Sequence, residues 1–217
     1  MLTFIVLLPI LAAIATVLGA PARKTALYAS VLNLALSLFA MAAYKPTTPG
    51  GYDLRSGWAV APAWGLNLAF AVDGLSLVLV LLSTVVTLAA VVVTPPVEKR
   101  EGLFYSCVLL ISAGALGAFA SVDLFFFYAF HELALIPTFL LIGIWGFGER
   151  QAAAWKITIY LALGSIVLLV GIAKLYLAYP EGARTFDMIA MTAKRALIPA
   201  TEQGGIYIWL QIGRAHV

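Results

Sequence analysis

The sequence predicts an all-α fold, a polytopic transmembrane helix bundle of six spans with the start of a seventh. Three observations carry this. Of the 217 residues, 63% are hydrophobic and 11% charged, far from the roughly 45–50% apolar and about 25% charged composition of a soluble domain. The apolar residues gather into separate runs that approach or pass the ~18 residues needed to cross ~30 Å of hydrocarbon. Only helices and closed barrels satisfy their backbone groups there, and runs this long are helical. A soluble globule, a monotopic protein and a β-barrel are therefore excluded.

The spans read, in order, Leu2 to Leu18, Ala26 to Ala43, Val72 to Val93, Leu103 to Ala120, Val122 to Gly146 and Ile157 to Ala178, with a seventh opening near Gly205. Breakers separate them: Gly19-Ala-Pro21, Pro46 to Gly51, Pro95-Pro96, Gly146 to Arg150, and Pro180-Glu-Gly182. A signal peptide cleaved around Leu18 to Ala22 is the alternative for the first run. No Lys or Arg precedes its apolar part, which a signal's basic n-region requires.

Short loops set orientation through their Lys and Arg. The links after spans one, three and five carry Arg23-Lys24, Lys99-Arg100, and Arg150 with Lys156, while the link between spans four and five has none. This puts the N-terminus outside, periplasmic in a bacterial inner membrane. Trp145, Trp155, Tyr176 and Tyr179 fall at span ends, where amphipathic rings anchor. In the connection Tyr44 to Val72, the alternation of Leu66, Leu68, Phe70 and Val72 predicts a short external hairpin. It would set Trp58 and Trp64 against the membrane or a neighbouring subunit. Phe186, Met188, Ile189 and Met191 with Lys194-Arg195 read as a short interfacial amphipathic helix, or equally as an ordinary loop helix.

The net charge of +3 is spread thinly over the loops, without the basic stripe of a nucleic-acid-binding surface. The single cysteine, Cys107, lies in an apolar run and supports neither a disulfide framework nor an iron–sulfur site. No dinucleotide fingerprint, phosphate loop or haem-attachment motif is present, so redox chemistry would sit on a partner. Residues 212–217, Ile-Gly-Arg-Ala-His-Val, read as a translated sequencing adapter. The native part is therefore expected to span residues 1–211, and Arg214 and His216 are set aside.

Glu132 is the most informative residue. It stands ten residues into the fifth run, which at 1.5 Å per residue is ~15 Å deep, near the bilayer midplane. An ionised carboxylate there costs roughly 2.5–3.5 kcal/mol on insertion scales, so such groups face the bundle interior and pair with a cation or hold a proton. A proton relay suits that position; a neutral glutamate tying helices together is the alternative. Pro137 cannot donate to the carbonyl of Leu133, so the helix should bend beside Glu132. Tyr128 lies at i−4 on the same face and could hydrogen-bond Glu132; His131 points about 100° away. His131 would either extend a proton path or bond a carbonyl in the core. His131-Glu132 does not complete a zinc-protease H-E-x-x-H, because position 135 is Leu135.

Lys174 lies near the outer end of the sixth span, where it reads as a snorkelling anchor or a participant in ion transfer. Lys156 opens that helix at the interface. Asp73 and Asp123 each begin a span, where a carboxylate caps free N–H groups and meets the positive end of the helix dipole. Ala113, Gly117 and Gly164-Ser165 are small residues that permit close helix contact, and they are read as packing only.

The stretch Asp123-Leu-Phe-Phe-Phe-Tyr-Ala-Phe-His-Glu132-Leu-Ala-Leu-Ile-Pro137, running on to Trp145-Gly146, resembles the fifth-helix signature of the antiporter-like subunits of respiratory complex I, NuoM (chain M) type. Asp73-Gly-Leu-Ser76 and Ile159-Tyr-Leu-Ala-Leu-Gly164-Ser165 are similar to further motifs of that family. The resemblance implies part of the first repeat of a fourteen-helix subunit, packed against sister antiporter-like subunits. It implies proton pumping driven by NADH:quinone electron transfer, with NADH, flavin, iron–sulfur clusters and quinone on partner subunits and no cofactor in this chain. Glu132 matches the family's essential fifth-helix glutamate. Its partner, a lysine on the seventh helix, would follow Leu210, so this chain alone should not pump. His131 departs from the aromatic residue frequent at that position. A multisubunit Na⁺/H⁺ antiporter, a membrane-bound hydrogenase and a non-transporting membrane scaffold remain the rival readings.

Overall fold

The computed structural model describes residues 1–45, 51–194, 197, 198 and 205. Apart from Gly205, the stretch expected to open a seventh span, together with the tail at 212–217, lies outside them, as does Arg195. The six expected runs all form helices: α1 (Leu2–Val17), α2 (Ala22–Ala43), α3 (Gly74–Val93), α4 (Glu101–Ala120), a broken span made of α5 (Leu124–Leu133) and α6 (Leu135–Trp145), and α7 (Arg150–Leu177). Five of these segments, with α5 and α6 as one, have the length and apolarity to cross a membrane, and the chain is an integral membrane protein. The first is shorter, 16 residues, or about 24 Å of helix.

α4 is the hub. Tyr105, Cys107, Leu109, Ala113 and Leu116 are all buried in it, and α1, α2, α3, α5 and α6 pack around it. Lipid tails are as apolar as leucine, so close approach and hydrogen bonds must hold these helices together. Both are present. A Cβ on Gly114 would lie 2.7 Å from the Phe130 carbonyl oxygen, and one on Gly117 would strike the Phe130 ring. Ser37 of α2 and Thr84 of α3 share a buried hydrogen bond of 2.9 Å, and Thr87 donates to Ser112 of α4 at 2.9 Å.

The expected hairpin forms from β1 (Asp53–Ala61) and β2 (Leu66–Val72), paired antiparallel with Gly57 opposite Ala69 and Trp58 opposite Leu68. The turn ends at Gly65, whose φ of 69° is left-handed and favours glycine. Leu66, Phe70 and Val72 are buried and Leu68 half-buried, with Ala71 buried between them, and Phe70 packs against Phe130 of α5, ring centroids 5.8 Å apart and tilted by 48°. Trp58 and Trp64 are exposed.

Two ends can be distinguished. The N-terminus lies with the hairpin, where Thr3 and Ser56 share a hydrogen bond of 3.2 Å. The basic loops gather at the other end: Arg23 donates to the Thr94 carbonyl and the Trp145 indole to the Lys99 carbonyl. Arg150 donates to the carbonyl of Ile144 in the same region.

The segment after α7 forms the short helix expected there, α8 (Met188–Ala193), and its buried Met191 meets protein, as an ordinary loop helix does. Met191 and Ile198 are buried with Tyr179, whose hydroxyl donates to the Met191 carbonyl, and Phe186 stacks 4.3 Å from Tyr176. Backbone bonds dock the segment: Leu124 N–H donates to Phe186 and Met188 N–H to Val122. The sequence shows apolar periodicity but not what lies opposite it.

Candidate functional site

Aspartate 123 starts the span that carries the site. It is fully buried and caps α5, accepting from the N–H groups of Phe125, Phe126 and Asn67. Burial pushes its carboxyl above the ordinary aspartate range, the three N–H bonds oppose this, and the nearby Asp187 carboxylate adds to it. Asp73 caps α3 in the same way through the Ser76 N–H. Both aspartates have the capping role expected of them.

The break falls at Ala134 (φ −79°, ψ −20°), between α5 and α6. Pro137 has no N–H to return to Leu133, and Thr138 takes up the Ala134 carbonyl with both its N–H and its hydroxyl. Glu132 stands two residues before this break. It is the ninth residue of a 22-residue span, about 12 Å from its start, so depth and irregular backbone coincide. Such backbone is tolerated at that depth only where protein or water covers it.

Three side chains decide what Glu132 meets. Ser165, in the middle of α7 and 2% exposed, donates its hydroxyl to Glu132 Oε1. The Nδ1 of His131 lies 3.4 Å from the same oxygen, with side-chain exposures of 20% for His131 and 31% for Glu132. That Nδ1 is buried and has no hydrogen-bond partner among the described residues. His131 also lines a cleft of about 280 Å³ with Gly114, Phe119, Ala134, Thr138 and Leu161. The carboxyl therefore faces α7 and a histidine, and the apolar cleft adjoins it.

Tyr128 is half-buried and makes no hydrogen bond to Glu132 among the described residues, although its helical spacing allowed one. Lys174 lies in the exposed last turn of α7, nine residues beyond Ser165, or about 14 Å along the axis. It is at the negative end of the helix dipole and away from Glu132. Lys156 is exposed near the start of α7.

His131 comes closer to Glu132 than the 100° argument implied. That argument fixes Cβ directions only, and two long side chains at adjacent positions can still swing together. Ser165 was missed altogether as a polar partner, since the sequence reading gave Gly164-Ser165 to packing alone. A hydroxyl in the middle of an apolar run, at the depth of an intramembrane carboxylate, was the available signal. Among the described residues no group of three or more His, Cys, Asp or Glu side chains is placed to hold a metal ion.

The class the fold defines is a polytopic helical membrane protein, with a carboxylate beside a helix interruption and a hairpin packed at one end. Residues 121–213 match the family described as NADH:quinone oxidoreductase/Mrp antiporter, TM. A curated relative, NAD(P)H-quinone oxidoreductase chain 4 of Trichodesmium erythraeum, is 36% identical over 198 residues, covering 89% of this chain and 35% of its own length. The chain thus spans about a third of that relative. A chain of the solved structure of respiratory complex I from Thermus thermophilus with bound NADH superposes with a TM-score of 0.82 at 28% identity, over 100% of this chain and 43% of that one. A chain of the Mrp complex from Dietzia sp. superposes with a TM-score of 0.78 over 99% of this chain and 23% of that one; at 17% identity this likeness is one of fold.

Proposed function

We propose that this chain is part of a proton-translocating membrane subunit of NADH:quinone oxidoreductase, and that Glu132 carries the proton. The observation that carries the reading is the placement of Glu132. Its carboxyl lies at mid-membrane depth beside a helix break, facing the buried Ser165 of α7. A charge at that depth is costly unless it has work and a partner. The relatives named quinone oxidoreductase chain 4 support the same reading.

In this account electron transfer from NADH to quinone takes place in partner subunits, which hold the NADH, flavin, iron–sulfur and quinone sites. Sister antiporter-like subunits are the expected neighbours. The protein spans a bacterial inner membrane with its N-terminus and hairpin on the periplasmic side, because the basic loops cluster at the opposite end. His131 is a second protonatable group on the path, Tyr128 and Lys174 are subsidiary candidates, and the missing cation is a lysine of a later helix. The rise and fall of a neighbouring positive charge would gate the proton on Glu132, each tenfold change in occupancy corresponding to about 1.4 kcal/mol of coupling.

The test is Glu132→Gln in the full-length subunit within the assembled complex. Proton pumping is expected to collapse while assembly and quinone binding persist. Undiminished pumping would make the subunit a scaffold and end the proposal. The family description also names Mrp antiporters, so the same membranes assayed for Na⁺-driven proton movement without NADH separate the two assemblies.

A further inference from the structure

Hydroxyls buried in these helices turn back on their own backbone. Ser30 donates to the carbonyl four residues earlier, and Thr16, Thr84 and Ser106 to the one three earlier. This is the default for a helical hydroxyl with no water to bond. Ser165 does not follow it. Equally buried, it reaches across to α5 and donates to Glu132 Oε1. His131 Nδ1 approaches that same oxygen, and among the described residues no hydrogen bond reaches the other one, Oε2.

We propose that Ser165 is a positioning residue for Glu132: its hydroxyl, with His131 beside it, holds Oε1 as the accepting oxygen and leaves Oε2 as the atom where the proton is exchanged. The inference rests on Glu132 being the proton carrier and adds which of its oxygens does the carrying. A protonated carboxyl has one O–H donor and one accepting carbonyl oxygen. An oxygen that already accepts from a serine is held in the carbonyl role, so the acid form is Oε2–H. The proton arrives at Oε2 from a water or an ammonium group and leaves by the same atom. The Ser165 proton stays on Oγ throughout, and only the Oε2–H bond forms and breaks. Holding the carboxyl plane in this way fixes the direction in which the proton is offered, the gain that pre-orientation gives any transfer step.

The experiment uses the assembled complex with Ser165→Ala in the full-length subunit. Two quantities are read: the infrared C=O stretch of the protonated Glu132 carboxyl, assigned by its disappearance in Glu132→Gln, and the pumping rate. Loss of the hydrogen bond should move the C=O band to higher wavenumber and slow pumping about tenfold, with NADH oxidation in the partner subunits still supported. Ser165→Cys, of similar size but a weaker donor, should give an intermediate band. A band that Ser165→Ala does not move overturns the proposal, and so does a moved band with pumping at the wild-type rate. Should Ser165→Ala fail to assemble, the band in Ser165→Cys decides alone. Undiminished pumping in Glu132→Gln is a different failure, that of the proton-carrier reading itself.

Discussion

Gly114→Ala is a one-carbon perturbation with a large expected effect. The new Cβ would lie 2.7 Å from the Phe130 carbonyl oxygen and 3.1 Å from both the Ala134 nitrogen and its Cβ, where ordinary contacts begin at 3.4 Å. The deficit against the carbonyl is about 0.7 Å, and no side-chain rotation can relieve it because the obstacles are mostly backbone. The strand of chain that must yield is the break carrying Glu132. Overpacking of this kind costs about 1–3 kcal/mol, a five- to 150-fold loss in the folded-to-unfolded ratio. A shift of several tenths of an ångström would also stretch the bond between Ser165 and Glu132 towards the limit of hydrogen bonding. Thermal unfolding and proton pumping of the purified complex measure the two consequences. Gly143→Ala is the control: its Cβ would meet only the Ala154 Cβ at 3.7 Å, and alanine is the better helix former by about 1 kcal/mol. Gly114→Ala should lose both stability and pumping, and Gly143→Ala should lose no stability. Wild-type melting and pumping in Gly114→Ala would refute it.

Phe70→Ala removes a buried ring between the hairpin and Phe130 and should cost about 3–5 kcal/mol, read as faster proteolysis within residues 53–72. Asp123 has its carboxyl pushed up by burial, so the folded state binds this proton more tightly than the unfolded chain. Its stabilising contribution is complete at pH values below the ordinary aspartate range and is lost as the pH rises through the raised folded value. Melting temperature measured upward from that range should therefore decline in the wild type by more than in Asp123→Asn, and parallel curves would contradict the assignment. A double-mutant cycle of Ser37→Ala and Thr84→Val tests the buried bond between α2 and α3. Its coupling should be about 0.6 kcal/mol and not above about 1.7 kcal/mol, the range for intramembrane hydrogen bonds.

What the sequence disclosed was what is local. Apolar length marked the helices, Asp73 and Asp123 marked two of their starts, and Pro137, read as a bend beside Glu132, falls in the first turn after the interruption at Ala134. Alternation from Leu66 to Val72 announced the hairpin. Features that depend on which elements become neighbours were not legible. Ser165 meets Glu132 across 33 positions, a pairing no helical period contains. Gly114 and Gly117 were both small residues in an apolar run, and only the course of the chain at Phe130 shows how little room either has. The docking of α8 likewise needed the Val122 carbonyl and Tyr179 in place before its apolar side had a partner. Tyr128 shows the converse: a favourable i−4 spacing permits a bond without requiring one.

If Glu132 carries the proton, its carboxyl changes protonation as the complex turns over. Infrared difference spectra of the reconstituted complex, recorded between resting and NADH-reducing conditions, measure this at the residue itself. A carboxyl C=O difference band should appear during turnover and be absent from Glu132→Gln. Difference spectra of wild type and Glu132→Gln that coincide in the carboxyl region, in a complex that still pumps, would contradict it.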